Sequence, residues 1–268
     1  MAIITKSSFS SAHWYTADGI AAHRQPKKSG EGDRPTDIRD ARRLGLFPSV
    51  TSILGTMAKP QLDSWKLDQV AYAAAASPKQ SEESEDYYAK RIRDAAFAQV
   101  DDAADLGSRI HDAIERALQG DPVSEDMQVH VQPVLDWIEQ SHLQIVDTER
   151  TMTNNEFGFS GTVDAVGRQF GAAWVLDYKT RKTKPGQKVT PYDGQAMQVA
   201  AYGKTYWGPD ADIHGANIYI STTEPGRVEV CYYEPHKLEQ EWLAFRALCF
   251  LWRHIKQYDP RQGREKKI

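Results

Sequence analysis

The feature that most limits how this chain can fold is a change of hydrophobic period after residue 142. Upstream, apolar residues recur at helical spacing; downstream they alternate, as in strands with one buried face. The alternation predicts strands over 145–153, 159–168, 173–180, 213–221 and 227–234. A helix over about 192–207 interrupts them. A last amphipathic helix carries Leu238, Trp242, Phe245, Leu248, Trp252 and Ile255. The upstream pattern predicts a helix over 53–57, capped by Ser49 or Thr51. Another covers 61–76, with Leu62, Trp65, Leu67 and Val70 in its stripe. Further helices cover 82–118, with Gly107 as a bend, and 124–142. This order is that of an α/β protein, a sheet with helices on its faces and a helical N-terminal region. Residues 24–45 are charged and rich in Gly and Pro, and read as a mobile basic loop. The organisation expected is an N-terminal region over 1–99, a core over 100–258 and a basic tail over 259–268.

Composition excludes several classes. At 268 residues the chain can bury a core without a disulfide or metal staple. Its two cysteines, Cys231 and Cys249, exclude a disulfide framework, a four-cysteine zinc site and a four-cysteine iron–sulfur cluster; both are expected to be buried thiols. No apolar run has the ~18 residues of a membrane span, and no signal peptide is evident. The cytoplasm is the default compartment. With 33 basic and 37 acidic residues the net charge is −4, which opposes nucleic-acid coating over the whole surface but not a local basic groove. Basic residues cluster at Arg24, Lys27, Lys28, Arg34, Arg39, Arg42 and Arg43, at Lys179–Lys188, and at Arg261, Arg264, Lys266 and Lys267. The tryptophans at 65, 137, 242 and 252 are expected in the core.

The chemistry concentrates in Gly161-Thr162-Val163-Asp164 and Asp177-Tyr178-Lys179. In a strand Asp177 and Lys179 share a face and Tyr178 takes the other. Opposed residues of an antiparallel hairpin have a constant index sum. Pairing Asp164 with Asp177 gives 164 + 177 = 341, which centres the turn between Phe170 and Gly171. The two carboxylates then face each other, with Cβ atoms about 4.5–5.5 Å apart. Carboxylates so close repel unless a cation intervenes, and hard oxygen ligands suit Mg²⁺ or Mn²⁺. Lys179 can then orient or help deprotonate a water, or stabilise developing negative charge. Such an apparatus serves attack on a phosphodiester. An isolated Asp-x-Lys is by itself an ordinary ion pair on a hairpin.

Flanking residues add to it. His111 and Glu115 are four apart on one helical face, beside Ile110, Ile114 and Leu118. A neutral imidazole there can complete a metal shell, and Glu115 can contribute directly or through water. Gln198 and Tyr202 form a second i, i+4 pair, suited to contacts with a DNA phosphate or with Lys179. Gly203-Lys204-Thr205 imitates the end of a phosphate-binding loop, but Gln198 stands where that loop needs glycine.

Together Gly107-x-x-x-His111, Gly161-Thr162-x-Asp164, Asp177-Tyr178-Lys179 and Gln198-x-x-x-Tyr202, in this order, resemble the RecB-like exonuclease branch of the PD-(D/E)XK nuclease superfamily. The resemblance covers about residues 100–258, and Pro48–Leu54 with Lys59-Pro60 is similar to the N-terminal part of phage-encoded members. It implies a central mixed sheet flanked by helices. It implies that His111, Asp164, Asp177 and the Tyr178 carbonyl bind Mg²⁺ or Mn²⁺, with Glu115 near an acidic helix position of the superfamily. It implies that Lys179 is catalytic, with Gln198 and Tyr202 in the last motif. No proline precedes Asp164, and Asp stands at 177 where the superfamily name has Glu. The activity implied is a metal-dependent DNA exonuclease resecting linear ends in phage recombination or replication, with Arg181, Lys182, Lys184 and Lys188 on phosphates. A phage recombinase or single-strand-binding protein is the partner implied. A nicking or structure-specific endonuclease of the same fold, and a non-catalytic DNA-end-binding subunit, are the alternatives.

Overall fold

The computed structural model describes residues 13–264; Lys266 and Lys267 of the basic tail lie outside the described residues. The chain begins with β1 (Trp14–Tyr15), β2 (Arg24–Pro26), β3 (Asp33–Pro35), α1 (Ile38–Leu44), β4 (Phe47–Pro48) and α2 (Val50–Leu54). Two long helices follow, α3 (Pro60–Ala76) and α4 (Glu85–Leu118), then α5 (Glu125–Gln140). The remainder is β5 (Gln144–Asn154), β6 (Phe159–Gln169), β7 (Ala172–Arg181), α6 (Gln195–Tyr206), β8 (Ile213–Ser221), β9 (Val228–Tyr233) and α7 (Pro235–Lys256). The molecule is thus mixed α/β, and a boundary at 99/100 falls inside α4.

The five-stranded sheet runs β5-β6-β7-β8-β9. Its ladders are antiparallel except β7 with β8, which are parallel and joined through α6. The β6–β7 hairpin turns at Phe170 and Gly171, with φ of 49° and 88°, the left-handed pair that a tight hairpin turn requires. Its pairs, from Gln169–Ala172 to Ala165–Leu176, all sum to 341.

Each sheet face has its own core. On one lie α6, α7 and α2, with Val175, Val199, Leu238, Trp242, Phe245 and Trp252 buried together. On the other lie α4 and α5, with Ile110, Ile114, Val131, Val134, Leu176 and Ile218. Each such side chain taken fully from water contributes about 1.5–3 kcal/mol. Trp14, Leu46 and Val50 join the first core, so the N-terminal region packs into the sheet's own interior. Gly203 and Gly215 let α6 lie close: a methyl group at 203 would meet Ile213 Cδ1 at 2.3 Å, and one at 215 would meet Val199 at 2.4 Å. Lys204 is buried and donates to the Ala211 carbonyl and Glu239, so it serves as a core brace.

Four expectations need correction. Residues 24–45 form a hairpin and a helix in place of a loop. Asp37 and Asp40 make a capping box at α1, and Arg34 forks onto both oxygens of Asp40. The reciprocal caps and the bidentate ion pair fold a segment whose composition suggests none. Trp65 is not a core residue: α3 buries no side chain, and Trp65 is 41% and Leu67 72% exposed. Periodicity marks a helical face, but α3 packs chiefly on α4, which is too narrow to cover it. Cys231 is only half-buried, because β9 is the sheet's edge strand, whereas Cys249 is buried. Ile255, too, is exposed on α7. Among the described residues, no helix is long and apolar enough to cross a membrane.

Candidate active site

The site begins where β6 and β7 part. Regular pairing ends at Ala165–Leu176. Beyond it, the Tyr178 backbone N–H donates to the Asp164 carboxylate, Oδ2, at 2.6 Å. Strand parity slips at the same place: Val163 and Val166 both face the α6/α7 core, while Ala165 faces the α4/α5 core. The β5–β6 register does not shift here, so the slip is a local twist that re-aims a side chain without inserting a residue. Asp164 thereby leaves the alternation and turns to the rim of a cleft.

Helix α4 supplies the opposite wall. Gly107 lies against β7 so closely that a Cβ there would sit 2.9 Å from Thr180 Oγ1. One turn on, the His111 ring packs edge-on against Tyr178, with centroids 5.8 Å apart, and its Nδ1 lies 3.7 Å from Asp164 Oδ2. Strand β5 adds a residue that sequence reasoning missed. Pairs Thr148–Ala165 and Arg150–Val163 both sum to 313, so Glu149 stands opposite Asp164. Its φ is +46°, the left-handed region that non-glycine residues seldom adopt. His111, Glu149 and Asp164 each offer a ligand atom within 4.8 Å of the others. They line a cleft of about 460 Å³ with Gly107, Asp112, Glu115 and Thr180. Burial, then the charges of Asp164, Glu115 and Asp112, push the Glu149 carboxyl up to about 7. Glu115 lies on the cleft wall, outside that trio, and accepts from Gln119.

An imidazole nitrogen and two carboxylates, crowded and mutually repelling, are a donor set that fits a divalent cation of the Mg²⁺ or Mn²⁺ type. The Tyr178 hydroxyl is buried beside them and has no hydrogen-bond partner among the described residues. Burial, then Asp164 and Glu149, raise its pKa.

Asp177 and Lys179 face the other way, toward α6 and α7. Asp177 is 1% exposed. Its Oδ1 accepts from Lys179 Nζ at 2.6 Å and its Oδ2 from Asn217 Nδ2 at 2.5 Å. Burial opposes charge on both, but Asp177 and Asp164 hold the Lys179 amine above its usual range. Lys179 is therefore an ammonium at neutral pH. Tyr202 is buried on α6, shares a hydrogen bond with Gln198 and feels the charges of Asp177 and Asp164. Its ring lies on Gly161, where a Cβ would meet Cε1 at 2.7 Å. The glycine of Gly161-Thr162-x-Asp164 thus makes room for the tyrosine of the last motif.

The basic segment after β7 is divided. Lys182, Lys184 and Lys188 are exposed. Arg181 is committed within the fold: it donates to the Thr190 carbonyl at 2.6 Å and stacks on Tyr192 at 4.1 Å. Arg227, bonded to the carbonyls of Lys184 and Gln187, ties the segment to β9.

No protein-family model matches the chain, and no curated protein matches it. Among solved structures it is similar to the protein SSO0001, at a TM-score of 0.29 and 16% identity, over 72% of this chain and 88% of that one. It is also similar to an alkaline exonuclease (LHK-Exo) from Laribacter hongkongensis, at a TM-score of 0.31 and 13% identity, over 73% of this chain and 98% of that one. Likeness this slight leaves the functional reading to the site itself.

Proposed function

We propose that this protein is a metal-dependent deoxyribonuclease of the PD-(D/E)XK type, an exonuclease that resects linear DNA ends. One observation carries the reading. A histidine and two carboxylates bring ligand atoms within 4.8 Å of one another, and one of them, Asp164, is bonded to the peptide between an acid and an amine, Asp177 and Lys179.

His111, Glu149 and Asp164 would hold the cation, Mg²⁺ or Mn²⁺. Bound there, it would supply Lewis-acid polarisation of a phosphoryl oxygen and a more acidic water. The chain's own groups do the rest. Lys179, held by Asp177 at 2.6 Å on the core side of the hairpin, would act on developing negative charge through its field, as it already does on Asp164. That pairing favours charge stabilisation over proton abstraction for Lys179. Tyr202 and Gln198 buttress the strand that carries Asp164. Exposed Lys182, Lys184 and Lys188 offer salt-dependent, sequence-independent phosphate contacts. In this reading the protein works in a bacterial cytoplasm during phage recombination or replication. Its product passes to a recombinase or single-strand-binding protein.

The test is incubation of purified protein with linear duplex DNA and Mg²⁺ or Mn²⁺. Degradation is expected, with loss on adding EDTA and in Asp164→Asn and Lys179→Gln. Degradation that survives both substitutions would overturn the assignment. A covalently closed circle left intact marks an exonuclease; a nicked circle marks an endonuclease of the same fold.

A further inference from the structure

Behind Asp177 lies a buried chain of polar groups that the catalytic reading does not use. The parallel β7–β8 register sets Asn217 beside Asp177, and the β8–β9 register sets Tyr233 two residues from Asn217's partner, Cys231, on the same face. Asn217 is 0% exposed. Its Nδ2 donates to Asp177 Oδ2 at 2.5 Å, and its Oδ1 accepts from the Tyr233 hydroxyl at 2.6 Å. The direction of this chain is forced. An ionised carboxylate only accepts, so the amide must turn its NH₂ toward Asp177. Its carbonyl then faces Tyr233, whose hydroxyl must donate.

Asp177 consequently has both oxygens engaged, Oδ2 by the amide and Oδ1 by the Lys179 amine. Asn217 restrains Oδ2, the oxygen that Lys179 does not hold. Without it the carboxylate can rotate about its Cβ–Cγ bond, and the Lys179 amine loses its fixed anchor.

Resting on the nuclease reading, we infer that Asn217 is a positioning residue for the reaction, with Tyr233 setting its amide. Asn217 fixes the rotation of Asp177, and Asp177 in turn fixes the Lys179 ammonium.

The experiment compares wild type, Asn217→Leu, Tyr233→Phe and the double variant. The readouts are kcat and KM on linear duplex DNA with Mg²⁺, alongside the unfolding midpoint. In Asn217→Leu, kcat is expected to fall about 10- to 100-fold, the scale of losing a hydrogen bond to a charged group, with KM for DNA unchanged. Tyr233→Phe removes one hydrogen bond and should lower kcat about 3- to 10-fold. The double variant should match Asn217→Leu alone, because both act through one chain. A folded Asn217→Leu enzyme with wild-type kcat overturns the inference, as do effects that multiply in the double variant. Should Asn217→Leu fail to fold, Tyr233→Phe decides: unchanged kcat overturns the inference and lowered kcat with unchanged KM supports it. Inactive wild-type protein sinks the nuclease reading and this inference with it. Active wild type with indifferent variants sinks this inference alone.

Discussion

The two sides of the β6–β7 hairpin hold carboxylates under opposite conditions. On the cleft side Glu149 and Asp164 face one another and His111, with Glu115 and Asp112 near. On the core side Asp177 faces an amine and an amide, and neither of its oxygens lacks a partner. The side chains are chemically alike; their neighbours differ. Paired charge on the core side ties the strands together, whereas like charge in the cleft works against the fold and favours a cation. Substitutions should therefore have opposite signs on the two sides.

The largest effect belongs to the core side. Lys179→Ala leaves Asp177 buried without its counter-charge and should destabilise by about 3 kcal/mol, read from denaturant unfolding. A loss near zero would erase the contrast. Next is the cation itself. Mn²⁺ at about 100 times its Kd should stabilise the wild type by about 2.7 kcal/mol. Calorimetry should show most of that gain missing in Glu149→Gln. The third effect is pH dependence in the presence of chelator. The folded Glu149 carboxyl titrates at about 7 against an ordinary 4.5. Between those values the folded chain holds a proton that the unfolded chain has lost, so stability falls as pH rises. Discounted for partial exposure, the fall is about 1–2 kcal/mol. Glu149→Gln should flatten the curve; an unchanged slope would place the charge conflict elsewhere. The smallest effect is at Glu115. Glu115→Gln should shift Mn²⁺ affinity by no more than about 0.5 kcal/mol, and a larger shift would widen the trio to four residues.

Much of this was legible in the amino-acid order. The change of period located all five strands of the main sheet, and the 341 index sum set the β6–β7 register because a two-residue turn leaves little freedom; the ladder ends at Ala165–Leu176, however, so the expected facing pair of Asp164 and Asp177 does not form. The capping box of Asp37 and Asp40 was also there to be found, but the Gly- and Pro-rich composition around it masked it. Glu149 was not found because it occupies an ordinary polar position in an alternating strand. The signal that could have exposed it is the same arithmetic applied to the β5–β6 hairpin, where 149 + 164 = 313. Asn217 is harder. The β7–β8 register is parallel and set by how α6 packs between the strands, so no local turn announces which residue lies beside Asp177. The exposed stripe of α3 illustrates another limit, since a helical pattern records an apolar face without recording what is broad enough to cover it.

The backbone at Glu149 imposes a trade-off on any effort to make this protein hardier. With φ at +46° the residue sits where glycine or asparagine is at ease and a glutamate is not, a conformational tension of about 1–3 kcal/mol. Replacing it by glycine would ease that tension and discharge the cleft together, so a screen for heat resistance should select the change readily. The survivor would be sturdier and would have discarded one of the three groups proposed to hold a cation.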